Sequence, residues 1–265
     1  MPKVTTNGMA LHYELRGKGD PLILLMGLGA DGSVWEQHAR LYEKHYRCVL
    51  VDNRGVGKSD KPPGPYTTAM MADDTAGLMD ALGIDRAHTS GISMGACIAQ
   101  ELALRHPERV RSLTLNCPWP RCDAYAELIF TQLKALYGRV PPLTWARHIH
   151  LLIFSPRFHA EHPEVLRDRE RQALECTAPQ PPHAFAAQCD ACLAHDTLAR
   201  LHAIAVPTLI TAGEADIFTP VRFSRAIAER IAGAELAVFP DCGHAHHWER
   251  LEEFNARTLE FLKTH

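Results

Sequence analysis

The sequence predicts an α/β protein: a mostly parallel eight-stranded sheet, helices on both faces, and a helical lid inserted after the sixth strand. Three observations carry that expectation. Short continuous apolar runs, which suit strands buried on both faces, alternate with stretches of helical period through residues 21–116 and again through 206–262. A strand, a tight turn and a helix meet at Gly91-Ile92-Ser93-Met94-Gly95. The alternation then stops at Pro118-Trp119-Pro120, and from there to about Leu201 helical patterns follow one another without a strand. The expected division is therefore 1–117 with 202–265 as the core, and 118–201 as a helical cap.

In chain order, Lys3 to Thr5 and Met9 to Leu15 read as a hairpin about Asn7-Gly8, a dipeptide that accepts positive φ. Pro21 to Met26 is an apolar strand that ends in Gly27-Leu28-Gly29-Ala30-Asp31-Gly32. Ser33 to Tyr46 reads as a helix with Ser33 as its cap. Cys48 to Asp52 is the next buried strand, followed by the loop Asn53 to Asp60. After the Pro-rich turn at 62–65, Thr67 or Thr68 caps a helix that runs to Leu82 and stops at Gly83. Ala87 to Ser90 leads into the Gly91–Gly95 turn. The helix Met94 to His106 follows, and Val110 to Asn116 forms another strand. Inside the insertion, Leu128, Ile129, Leu133 and Leu136, then Trp145, Ile149, Leu152 and Ile153, mark helices. The sheet pattern resumes at Val206 to Ala212, continues through a helix at 221–232 and the strand Glu235 to Phe239, and closes with a helix from Trp248.

The 265 residues are enough for one substantial core, and 46% of them are hydrophobic. A formal charge of -3, without a long basic run, gives no electrostatic footprint for nucleic acid or an anionic membrane. The N-terminus lacks a basic region followed by an apolar core, and no apolar run approaches the length of a membrane span. A cytoplasmic protein working on small molecules is the expectation. The eight cysteines are scattered, several in apolar segments, and read as reduced thiols. Oligomeric state is not legible.

G-x-S-x-G between a strand and a helix is the pattern of a nucleophile elbow, in which a strained turn lifts a serine hydroxyl clear of the sheet. By itself the five-residue pattern is common, and a chance Gly/Ser loop is the competing explanation. A serine hydroxyl is a poor nucleophile at neutral pH; it needs a base in hydrogen-bond reach, and the base needs a carboxylate to orient it. Asp216 follows the strand 206–212, and His244 follows the strand 235–239. Both fall at strand C-terminal ends, the edge where open parallel sheets place their sites.

The segments Asp52 to Ser59, Gly64-Pro65-Tyr66-Thr67, Gly91 to Gly95 and Gly243-His244, with the order Ser93, Asp216, His244, resemble the α/β-hydrolase superfamily. Within it the chain resembles 3-oxoadipate enol-lactonase-like and carboxylesterase members, over residues 10–117 and 203–262. The resemblance implies Ser93 as nucleophile, His244 as general base and then acid, and Asp216 as the orienting carboxylate. It implies an oxyanion hole made by the N–H groups of Met94 and Leu28, and a departure from many relatives at Met26, where they carry His. The implied activity is cleavage of a small or medium carboxylic ester or lactone through an acyl-enzyme, with no metal and no organic cofactor. The same triad also serves C–C and amide hydrolysis and cofactor-free perhydrolysis. A slow-turnover ligand receptor of the same fold is the alternative from a different class. Trp119 and Phe218 are the expected pocket aromatics, chosen from Trp119, Phe130, Trp145, Phe154, Phe218 and Trp248 because each follows a strand end near the site.

Rival readings of single motifs are weaker. Gly55-Val56-Gly57-Lys58-Ser59 looks like a phosphate loop, but the Gly required five residues before Gly57 is Asp52, so a structural loop with Arg54 paired locally is expected. Cys189-x-x-Cys192 with His195, and the run His244 to His247, could suggest metal, but burial of thiols in a helix accounts for the first and the second has no partner cluster. Single surface or capping histidines account for most of the sixteen. Asp241 and Asp123 are alternative acids for His244. Arg121, Arg139 and Arg147 could meet a substrate carboxylate or could be solvated helix residues.

Overall fold

The computed structural model describes residues 2–265. Strands β1 (Lys3–Thr6) and β2 (Met9–Arg16) form the antiparallel hairpin, with Asn7 and Gly8 both at positive φ in its turn. The remaining strands are β3 (Asp20–Leu25), β4 (Tyr46–Val51), β5 (Ala87–Ile92), β6 (Val110–Asn116), β7 (Thr208–Gly213) and β8 (Glu235–Phe239). They lie in the order β1-β2-β4-β3-β5-β6-β7-β8. β2 runs antiparallel to β4, and every pair from β4 to β8 is parallel. The C-terminal ends of β3, β5, β6, β7 and β8 therefore share one edge.

The helices are α1 (Glu36–Tyr42), α2 (Thr68–Ala81), α3 (Met94–Arg105), α4 (Ala124–Leu136), α5 (Pro142–Ile153), α6 (Pro156–Glu161), α7 (Pro163–Glu175), α8 (Pro182–Leu193), α9 (Val221–Ala228), α10 (His246–Glu249) and α11 (Leu251–Thr264). Side chains alternate across the pleat, so β3 feeds two cores at once. Ile23 and Leu25 pack with α2, α3 and part of the insertion; Leu22 and Leu24 pack with Trp35, Ala39 and Tyr42 of the α1 region and with Leu259 and Leu262 of α11. Five helices, α4 to α8, stand between β6 and β7 in the chain, and Phe130, Leu133, Phe185 and Cys189 from them join the larger core. No helix among the described residues is long and apolar enough to cross a membrane.

Local departures from expectation have local causes. Asp31, not Ser33, caps the first helical segment: its carboxylate accepts from the Ser33 N–H at 2.9 Å, and the chain enters a 3-10 turn over Gly32–Trp35 before α1. The helix expected to reach Tyr46 ends at Tyr42, because Tyr46 is already the first residue of β4. Thr67 is the cap of α2, and Gly83 at φ +61° ends it. α9 stops at Ala228 rather than 232, and the closing helix is broken into α10 and α11 at Arg250, whose backbone is non-helical.

Candidate active site

Ser93 sits between β5 and α3 at φ +57°, ψ −122°, a conformation that costs an L residue about 1–3 kcal/mol. The surroundings hold it there. Its N–H donates to the Asn116 carbonyl of β6 at 2.8 Å, and its own carbonyl accepts from Ala96 and Cys97 in the first turn of α3. The turn is this tight because its glycines lack side chains: a Cβ on Gly91 would overlap the Gly95 carbonyl, and one on Gly95 would overlap the end of β3 at Leu25. The N–H groups of Leu28 and Met94 have no acceptor among the described residues. Gly27 lies directly against Ser93, where an added Cβ would stand 3.0 Å from the serine Cβ. Met94 N–H belongs to the positive end of α3, and Leu28 follows the glycine that touches Ser93.

The acid and base stand on the next two strand ends. Asp216 follows β7 and His244 follows β8, and His244 Nδ1–H donates to Asp216 Oδ2 at 2.8 Å. The other carboxylate oxygen accepts from the N–H groups of Phe218 (2.7 Å) and Thr219 (2.9 Å), and the Thr219 hydroxyl donates to Oδ2 at 3.0 Å. Burial works against the charge of Asp216, but the imidazole and these donors outweigh it and hold the carboxyl below its usual range. Burial likewise favours a neutral His244, and contact with Cys117 and Asp216 outweighs it, raising the imidazole above the usual histidine range.

His244 Nε2 faces Cys117 Sγ at 3.6 Å, and no hydrogen bond among the described residues joins it to Ser93 Oγ. Cys117 directly follows β6 at φ +45°; its N–H donates to the Thr211 carbonyl and its carbonyl accepts from the Thr219 hydroxyl. In unliganded hydrolytic sites the serine–imidazole bond is often long and tightens only with substrate in place. Behind His244, Thr211 Oγ1 lies 2.8 Å from both Asn116 Oδ1 and His246 Nε2, while His246 Nδ1 is 3.2 Å from the His244 carbonyl. A separate set lies next to it, with His38 Nδ1 bonded to Asn255 and its Nε2 at 3.1 Å from His247 Nδ1. An imidazole fixed through Nδ1 on a buried carboxylate has its Nε2 left for proton transfer, and here that nitrogen faces the Cys117 thiol.

The family model described as alpha/beta hydrolase fold matches residues 20–251. The chain belongs to the α/β-hydrolase fold family. RutD of Azorhizobium caulinodans, whose name proposes a carbamate hydrolase, is 33% identical over 98% of both chains. The 2-hydroxy-6-oxo-6-phenylhexa-2,4-dienoate hydrolase of Comamonas testosteroni is 31% identical, over 96% of this chain and 91% of its own. The crystal structure of the enol-lactonase from Burkholderia xenovorans LB400 superposes with a TM-score of 0.87 at 28% identity, covering 99% of this chain and all of the other. This α/β-hydrolase is accordingly a hydrolase with hydrolases for relatives.

Other residues of the α/β-hydrolase singled out from sequence distribute as follows. Phe218 packs against His244 with centroids 4.7 Å apart and the rings tilted by 42°; Trp119 is fully buried and is joined to Phe218 by Phe130, at 5.1 and 5.5 Å. Phe130 is thus the aromatic that links the two. Asp123 caps α4 and pairs with Arg222, and Asp241 is exposed, which leaves Asp216 as the carboxylate on His244. Arg54 pairs with Asp74 in a buried two-bond contact at 2.7 and 2.8 Å. Arg121 and Arg147 are exposed and engaged by Asp196 and Glu170, and Arg139 is exposed, so none is a buried cation awaiting a substrate carboxylate. Cys189 and Cys192 are buried in α8, and the ring nitrogens of His195 lie near Thr68 and Thr197.

Two further site residues are not singled out by the sequence, and one general expectation is wrong. Thr219 stands three positions after Asp216, the spacing at which a side chain returns to a carboxylate. Cys117 is the first residue beyond β6, a strand-end position of the same kind as Asp216 and His244. The histidines are not mostly surface groups: eight of the sixteen, at 12, 38, 88, 150, 195, 244, 246 and 247, are buried. Hydrogen bonding among themselves and with Thr and Asn satisfies several that an isolated histidine could not satisfy in the core.

Proposed function

We propose that this chain is a serine hydrolase that cleaves a small or medium carboxylic ester or lactone through an acyl-enzyme on Ser93. The observation that carries it is the 2.8 Å bond from His244 to the buried Asp216, two strand ends away from a serine held at positive φ. Ser93 Oγ attacks the carbonyl carbon as His244 Nε2 accepts the hydroxyl proton. The oxyanion is received by Met94 N–H and Leu28 N–H, each worth about 3 kcal/mol in such sites. The intermediate collapses as His244 returns the proton to the leaving alkoxide. Water then repeats the cycle, deprotonated by His244, and releases the acid. No cofactor enters any step. In this reading α4 to α8 cap the core, and Phe218, with Trp119 and Phe130 behind it, supplies the apolar wall.

A carbamate is the second substrate class, favoured by the likeness to RutD over nearly the whole chain. Hydrolysis of p-nitrophenyl acetate, butyrate and octanoate, beside a p-nitrophenyl carbamate, tests both. Wild type turns over one series, and Ser93→Ala, folded by circular dichroism, loses at least about 10⁴-fold. A folded Ser93→Ala that keeps its rate, or wild type inert toward all of them, contradicts the proposal and brings forward a ligand receptor of the same fold.

A further inference from the structure

One polar side chain stands on an otherwise apolar face of α8. Ala184, Phe185, Ala191 and Cys192 are buried there, and Gln188 in the same stripe is 0% exposed. A buried amide is costly unless both of its ends are bonded. Gln188 finds its partners in two loops at the sheet edge. Its Nε2 donates to the Arg54 carbonyl at 2.8 Å, and its Oε1 accepts the Gly29 N–H at 3.0 Å. Gln180 Nε2 donates to the same Oε1 at 3.1 Å and to the Gly55 carbonyl at 2.9 Å. One turn earlier, Phe185 closes over Gly29, which is at φ +73° and has no room for a side chain: an added Cβ would lie 3.0 Å from the ring.

Gly29 N–H is the peptide donor immediately after Leu28. Gly27, two positions before Gly29, lies against Ser93, where an added Cβ would stand 3.0 Å from the serine Cβ, so Leu28 joins the serine's neighbour to the peptide that Gln188 holds. The Gly29 N–H lies at the half-buried edge of the cleft, and without the Gln188 oxygen nothing else among the described residues accepts it, so the peptides of the partly exposed Gly27-Leu28-Gly29 turn lose the bond that fixes their orientation. We infer that Gln188 is a positioning residue for this turn: by accepting the Gly29 N–H it fixes the adjoining peptides so that Leu28 N–H stays free and aimed at the developing oxyanion. The role rests on the proposed serine mechanism. Because α8 lies in the helical insertion, the oxyanion donor is then set by how the insertion is seated, not by the sheet alone.

The competing explanation is a plain stitch that fastens α8 to the core. A stitch affects melting temperature; a positioning residue also affects how well the folded protein holds a tetrahedral anion. Gln188→Met keeps the volume and removes all three of its hydrogen bonds, to the Arg54 carbonyl and from Gly29 and Gln180. Its kcat and KM on p-nitrophenyl butyrate are measured beside its affinity for phenylboronic acid. That probe accepts the Ser93 oxygen on boron as the hydroxyl proton passes to His244, giving a tetrahedral boronate.

The positioning role predicts a kcat about 10²-fold lower, with KM within about threefold, and boronate affinity weakened by a similar factor. Gln188→Glu, which keeps an acceptor for Gly29, recovers a large part of both. A folded Gln188→Met with wild-type kcat and boronate affinity overturns the role even if its melting temperature falls. Should that variant not fold, Gln188→Asn, one methylene short of Gly29, is measured in its place: the same losses support the role, and wild-type kcat and boronate affinity overturn it. If wild type does not bind the boronate at all, or Ser93→Ala remains active, the serine mechanism itself has failed and the role assigned to Gln188 falls with it.

Discussion

The two sides of the site are held in different ways. On the acid–base side, everything that orients His244 comes from the sheet edge: Asp216 and Thr219 after β7, Cys117 after β6, and the Asn116, Thr211 and His246 network behind the ring. On the oxyanion side, the sheet supplies the turn but α8 of the insertion holds it, through Gln188 on the Gly29 N–H and Phe185 over Gly29. On the proposed mechanism, proton transfer is built into the core and shares its stability. On the same proposal, anion stabilisation depends on a segment whose outer helices are largely exposed, so changes in the insertion reach the oxyanion before they reach the base.

The largest effect is expected at Asp216. Asp216→Asn removes the charge that fixes the imidazole while leaving its volume in place. A kcat lower by about 10⁴-fold is expected, a larger loss than Gln188→Met produces. A folded Asp216→Asn that loses no more than Gln188→Met would erase the distinction between a side held by charge in the core and a side held by an amide of the insertion.

A smaller effect separates the two sides through pH. Burial lowers His38 to about 4 and His246 to about 3, and His247 well below the usual value, so all three are neutral in the folded protein at pH 7. Below about pH 6.5 the unfolded chain binds protons that the folded chain refuses, so stability falls as pH drops from about 6.5 toward 4. Each such histidine contributes up to about 1.4 kcal/mol per pH unit across that window. Thermal unfolding from pH 7.5 to pH 5 is expected to show a falling midpoint, and His38→Gln, which cannot take up that proton, to flatten the decline. An unchanged slope in His38→Gln would mean that the buried histidines do not tie the acid–base side to the stability of the core.

Much of this is legible in the sequence. Buried strands announce themselves as apolar runs, and the Ser93, Asp216 and His244 positions follow from one motif and two strand ends, because a parallel sheet gathers such ends on one edge. What is not legible depends on contacts distant in sequence. Gln188 is an ordinary polar residue in a helix until Gly29, 159 positions earlier, is brought beneath it. Cys117 resembles any buried thiol until β8 carries His244 alongside. Burial of the histidines runs against expectation because histidine alone is costly in a core, and partners such as Thr211 for His246 and Asn255 for His38 lie 35 and 217 positions away.

Whether Ser93 is an activated nucleophile can be read from covalent labelling with an alkyl fluorophosphonate, followed by peptide mass spectrometry. Attack by an activated oxygen on phosphorus expels fluoride and leaves a stable phosphonyl ester. One label per chain is expected, on Ser93, with labelling slowed severely in Asp216→Asn. A label on Cys117 or elsewhere, or wild type left unmodified, would contradict the serine mechanism.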